Sequence, residues 1–146
     1  MYRTIVVGLD GSTHQGSVLK HALEIAHALG GRLQLCRAMQ VPLSIPAVAW
    51  AVKGEDFGAF LVEHGNEALR RIAEELPEGI VQGLTCRLGA PADVLCEVAR
   101  EIAADLIVIG SHGYDRIDRL LGTTASRVAN LSPCNVLVVK NDLPEP

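Results

Sequence analysis

Short β-rich apolar runs alternate along this chain with stretches of helical periodicity, and that alternation constrains the fold more than any other feature. The runs are TIVVGL (Thr4 to Leu9), RLQLCRAM (Arg32 to Met39), IVQGLTCRL (Ile80 to Leu88), LIVIG (Leu106 to Gly110) and NVLVVK (Asn135 to Lys140). The first and fourth are almost continuously apolar, as expected of strands covered on both faces. The third is interrupted by Gly83. After the first run, Ser12 stands as a helix N-cap with Gln15 at capping-box spacing; Val18, Ala22, Ile25 and Leu29 then recur on one face until Gly30-Gly31. A second amphipathic helix is expected over Phe57 to Leu76, with a stripe of Leu61, Ala68, Leu69, Ile72 and Leu76, stopped by Pro77 and Gly79. A third opens in GAPADVLCEVAREIAAD with Pro91 in its first turn, and a fourth spans Thr123 to Leu131, blocked by Pro133. Strands alternating with such helices predict βαβ units, a parallel sheet and right-handed crossovers.

The remaining long segment, QVPLSIPAVAWAVKGEDFG, reads as a loop with a short helical piece near Ala47 to Val52. It holds the sole tryptophan, Trp50, read as an anchor of that loop on the domain rather than as a lid. Arg70-Arg71 with Glu74-Glu75 reads as a solvated helix face.

At 146 residues the chain suits one domain, residues 1–140, followed by a polar tail, residues 141–146. A chain of this length buries roughly 70% of its unfolded surface and needs no staples. With 49% hydrophobic and 3% aromatic residues, the core must be aliphatic. A net charge of −4 argues against a nucleic-acid partner. No apolar run suits a signal peptide or a membrane span, and the four scattered cysteines fit reduced thiols rather than disulfides or a zinc site, so a cytoplasmic location is expected.

The chemistry concentrates where two strands end. The first run closes in Leu9-Asp10-Gly11-Ser12 and the fourth in Gly110-Ser111-His112-Gly113, followed by a charged loop and Gly122-Thr123-Thr124. Ligands of open α/β sheets bind beyond the carboxyl ends of the strands, where the strand order reverses. If these two strands are neighbours, Asp10 and Gly110 face one crevice. Gly110 and Gly113 then allow close backbone approach, and Gly122 precedes a helix whose first N–H groups are unpaired and partly positive. Thr123 and Thr124 add hydroxyl donors to this anion site, and Asp10 can accept from ribose hydroxyls. Pattern alone leaves a second reading open, in which the glycines merely shape a tight turn and a cap. The loop is neither a Walker A motif, having no lysine, nor a Rossmann G-x-G-x-x-G.

The chain resembles the universal stress protein family along nearly its full length, through TIVVGLDGS, GAPADVLCEVAREIAADLIVIGSHG and LLGTTASRVANLSPCNVLVVK. Nucleotide-binding members carry G-x2-G-x9-G-[ST]; here Gly110, Gly113 and Gly122-Thr123 form the same series with eight residues in the second interval. The resemblance implies a single-domain three-layer α/β sandwich of the adenine nucleotide alpha hydrolase-like type, with a five-stranded parallel sheet in the order 3-2-1-4-5. It implies that Asp10 matches the family aspartate, that Ala38, with Leu9 beside it, matches a position whose backbone meets adenine, and that Gly110, Ser111, His112, Gly113, Gly122, Thr123 and Thr124 match the ribose and phosphate loop, with Arg116 adding charge. The implied ligand is ATP, or AMP or ADP, with Mg2+. The implied protein is a nucleotide-responsive dimer acting in stress response with an unknown protein partner.

Other readings bound this one. His112 lacks a neighbouring nucleophile and orienting group, so it reads as a polar loop residue near phosphate rather than a general base. Cys96 and Cys134 read as structural. Asp115 and Asp118 offer carboxylates for Mg2+. Asn135 to Val139 would be an apolar sheet edge, and such an edge invites pairing with a second copy. Two alternatives stay open: an interaction protein that has lost nucleotide through the shortened loop, and a slow ATP hydrolase.

Overall fold

Five strands and four helices follow one another in strict alternation in the computed structural model, which describes residues 1–41, 47–111 and 121–140, with the backbone alone over residues 47–56. They are β1 (Thr4–Gly8), α1 (Gln15–Leu29), β2 (Arg32–Met39), α2 (Ala47–Glu74), β3 (Val81–Leu88), α3 (Pro91–Glu101), β4 (Leu106–Gly110), α4 (Thr123–Leu131) and β5 (Asn135–Val139). Among the described residues the strands form one parallel sheet in the order β3-β2-β1-β4-β5, the order implied by the resemblance. β1 and β4 are hydrogen-bonded neighbours, with Ile5 opposite Leu106, Val6 opposite Ile107 and Val7 opposite Val108.

The central strands are apolar on both faces because each face has its own helical cover. Side chains alternate across a strand. Ile5, Val7, Leu33, Leu35, Leu106 and Val108 therefore pack with Val18, Ala22 and Ala26 of α1 and Leu69 of α2. Val6, Cys36, Ile107 and Ile109 pack on the other side with Val94, Leu95 and Val98 of α3 and Ala125 and Val128 of α4. Burying a Val, Leu or Ile side chain stabilises the fold by about 1.5–3 kcal/mol, so aliphatic side chains hold the two layers, with no aromatic among the described buried residues and Tyr2 packed at the margin.

Three local expectations change. The residue before α1 is His14, not Ser12, and no side chain caps it; Ser12 and Gln15 serve the preceding turn instead. The short helical piece near Ala47 and the helix expected from Phe57 are one 28-residue helix, α2. The sequence holds no proline between Pro46 and Pro77, and a lone glycine such as Gly54 or Gly58 costs a helix only about 1 kcal/mol relative to alanine. Gly83 does not break β3. A Cβ there would lie 2.5 Å from Oε1 of Gln34, a buried side chain whose amide donates to Thr85 Oγ1 at 2.8 Å. The β2–β3 register shifts between Leu33 and Gln34, beside this contact.

Two element ends behave as read. Gly30 takes the left-handed conformation, with φ of 70°, and closes α1, while Pro91 occupies the first turn of α3. Among the described residues, no helix is long and apolar enough to cross a membrane.

Candidate functional site

β1 and β4 end side by side, and the helices that follow them, α1 and α4, lie on opposite faces of the sheet. This divergence opens a cavity of about 260 Å3 at the carboxyl edge. Ligand pockets in proteins measure roughly 300–1,000 Å3, so this one approaches the lower end of that range.

One wall is the turn after β1. The Leu9 N–H donates to the Cys36 carbonyl at 2.9 Å, which extends the β1–β2 pairing by one step and sets Leu9 near Ala38. The chain then turns sharply at Gly11, whose φ of 77° is left-handed. Asp10 Oδ1 accepts the Ser12 N–H at 2.9 Å, and Gln15 Oε1 accepts the Gly11 N–H at 3.0 Å. The carboxylate of Asp10 is thereby held at the lip of the cavity, exposed to solvent. From outside the cavity wall, Arg37 closes on the same turn: a Cβ on Gly11 would meet its Nη2 at 2.7 Å.

The opposite wall is the start of α4. The Ser111 N–H donates to the Val139 carbonyl at 2.9 Å, continuing the β4–β5 ladder, and the Ser111 carbonyl accepts the Gly122 N–H at 2.8 Å. This bond ties the two ends of the segment between them. Gly122 has ordinary angles, φ of −60° and ψ of 163°, and no side chain caps the helix. The N–H of Gly122 is taken by Ser111, so the amides of the first turn beyond it, together with the hydroxyls of Thr123 and Thr124, are the donors this wall can offer.

The floor is apolar. Ala38 and Cys36 come from β2, Leu95 and Pro91 from α3, and Ile109 from β4. Burial pushes the Cys36 thiol up to about 12, so it lies on the floor as a neutral group.

Of the residues singled out from the sequence, Leu9, Asp10, Ala38, Gly110, Ser111, Gly122, Thr123 and Thr124 all line this one cavity. His112, Gly113 and Arg116 lie outside the described residues, as do Asp115 and Asp118, and the side chain of Trp50 is likewise not described. Cys36, His14, Gln15, Pro91 and Leu95 also line the cavity and were not singled out for it. Cys36 was within reach of the sequence, because it shares a strand face with Ala38 two residues on. Pro91 and Leu95 were not, because their presence depends on how α3 packs across the sheet. Among the described residues, no three His, Cys, Asp or Glu side chains gather as a metal site.

Sheet order and crevice together define a doubly wound α/β protein with a ligand-sized opening at its switch point. The model of the universal stress protein family matches residues 1–140. A universal stress protein of Methanocaldococcus jannaschii is 35% identical over 145 residues, which span 96% of this chain and 83% of that relative. The chain belongs to the universal stress protein family. Among solved structures, universal stress protein UspA from Lactobacillus plantarum superposes with a TM-score of 0.73 at 26% identity, covering 94% of this chain and 97% of that one. A universal stress protein solved in complex with cAMP gives a TM-score of 0.61 at 30% identity over the same shares of the two chains.

Proposed function

We propose that this universal stress protein binds an adenine nucleotide in the cavity between β1 and β4 and acts as a nucleotide-responsive regulatory dimer in the stress response. One observation carries the reading: a single crevice has a fixed acceptor, Asp10, on one wall and the uncapped start of α4 on the other. The cAMP-bound relative supports the ligand class.

The pieces of a nucleotide fit the chemistry of the walls. The base lies on the apolar floor against Leu9 and Ala38. The sugar hydroxyls donate to Asp10. The phosphates meet the first amides of α4 and the hydroxyls of Thr123 and Thr124, where helix polarity favours negative charge. Gly110, Ser111, His112, Gly113 and Arg116 belong to the loop that would follow the sugar and phosphates. ATP, ADP and AMP share this recognition. Mg2+ would arrive with the phosphates.

Dimerisation is assigned to β5, which borders β4 on one side only and is the end strand of the described sheet. Its residues Val136, Leu137 and Val138 are half-buried and apolar. A second copy added along this edge would give two apolar strands a partner.

The test is direct. Heat-denatured purified protein should release adenine nucleotide, and added ATP or AMP with Mg2+ should raise the melting temperature. Neither effect appearing would reject the reading. Gly113→Val should abolish the thermal shift and leave the far-ultraviolet circular dichroism unchanged. Light scattering should report a dimer at tens of micromolar, and a monomer alone would remove the β5 assignment.

A further inference from the structure

Gln15 is the first residue of α1, but its side chain turns back to the preceding loop. Its Oε1 accepts the N–H of Gly11 at 3.0 Å. An N–H can only donate, so the end of the amide held there must be the oxygen, and the NH2 group must be the end left over. Asp10 is pinned in the same way. Its Oδ1 accepts the Ser12 N–H at 2.9 Å, and no hydrogen bond to its other oxygen, or from the Gln15 NH2, occurs among the described residues. Both residues line the cavity.

Two bonds within one short turn therefore present two groups of opposite polarity at the same lip. The carboxylate only accepts and the NH2 only donates. A phosphate can satisfy the NH2 but is repelled by the carboxylate. An ammonium group can satisfy the carboxylate but has nothing to offer the NH2. A hydroxyl does both, and a pair of adjacent hydroxyls does so with one group on each residue.

We infer that Gln15 is a specificity-determining residue: with Asp10 it reads the vicinal diol of the ligand's sugar, Gln15 donating and Asp10 accepting, and so selects a ribonucleotide over a deoxyribonucleotide. The inference rests on the nucleotide reading above and adds to it the sugar that the site requires.

Gln15→Glu separates this role from a purely structural one. The carboxylate can still accept the Gly11 N–H, so the turn is retained, while the donors toward the cavity are gone. Isothermal titration with AMP, 2′-deoxy-AMP and 3′-deoxy-AMP supplies the readout, taken as the ratio of deoxy to ribo dissociation constants so that any uniform weakening cancels. The wild-type protein should prefer AMP over at least one deoxy analogue by about tenfold, the worth of one well-made hydrogen bond. In Gln15→Glu, with an unchanged melting temperature, that ratio should narrow to about twofold. Should Gln15→Glu fold poorly, Gln15→Met, which lacks both donor and acceptor, should narrow the same ratio. A ratio equal to that of the wild type in a folded variant overturns the assignment to Gln15 while the nucleotide site stands. A wild-type protein that binds AMP without distinguishing the deoxy analogues does the same. A wild-type protein that binds none of the three overturns the nucleotide reading and this inference together.

Discussion

The N–H of Gly122 donates to the carbonyl of Ser111 at 2.8 Å, and this bond sets the start of α4 against the end of β4. Where the amides of α4 point is therefore decided by the sheet as well as by the helix. Gly122 itself has angles that any residue adopts, so a side chain there brings no backbone strain. Gly122→Ala should change stability by less than about 0.5 kcal/mol, as an unstrained surface substitution does. It should weaken nucleotide binding by about tenfold, because Gly122 lines the cavity where the phosphates are proposed to lie and a methyl group adds bulk there. Chemical denaturation and titration of AMP on the same sample check both halves.

Gly83 and Gln34 should behave as a coupled pair. A Cβ at Gly83 lies 2.5 Å from Gln34 Oε1 and would displace an amide bonded to Thr85. Gly83→Ala should cost about 1–3 kcal/mol, the penalty of leaving a buried polar group unpaired. In a Gln34→Ala background the same change should cost clearly less, since nothing remains to displace. Urea denaturation of the four variants of the cycle measures the coupling.

The acid limb of stability should report Asp105. Its carboxylate accepts the N–H groups of Thr4 and Arg3, at 2.9 and 2.8 Å, and these bonds hold its pKa below the ordinary 3.8. A folded-state pKa that is lowered stabilises the fold above the unfolded value and loses that stabilisation as pH falls through the folded one. Asp105→Asn should therefore flatten the loss of stability below pH about 4, while lowering stability near neutrality. Parallel slopes in wild type and variant below that pH would contradict this.

Thiol reactivity should divide by burial. Cys36 is pushed up to about 12, and Cys86 and Cys96 are raised as well, in each case chiefly by desolvation. Their thiolate forms are scarce at pH 8, so a disulfide reagent should titrate no more than about one thiol of the native protein, that of Cys134. All four cysteines of the chain should react after denaturation.

Much of the architecture was legible because it rests on local patterns. The apolar runs at Thr4 to Leu9 and Leu106 to Gly110 read as doubly covered strands and are so; Gly30, Pro91 and Pro133 punctuate the helices where their backbone chemistry requires. Two of the failures turn on the hydrogen-bonding partner of a glutamine side chain. Ser12 and Gln15 have the spacing of a capping box, but the Gly11 turn placed its own N–H within reach of Gln15 and won that side chain. Gly83 looked like a break because its partner, Gln34, is forty-nine residues distant in the chain.

The site divides along the same line. By itself the sequence determined which residue types were on offer: a carboxylate after one strand, and glycines and threonines around another. Residue type and short-range spacing are local properties, written in the order of the chain. Only the tertiary structure decided that Asp10 and Thr123 share one cavity and that Pro91 and Leu95 close its floor. Those relationships depend on strand order and on helix packing across the sheet, which are set by burying two aliphatic faces at once and which no local stretch of sequence specifies.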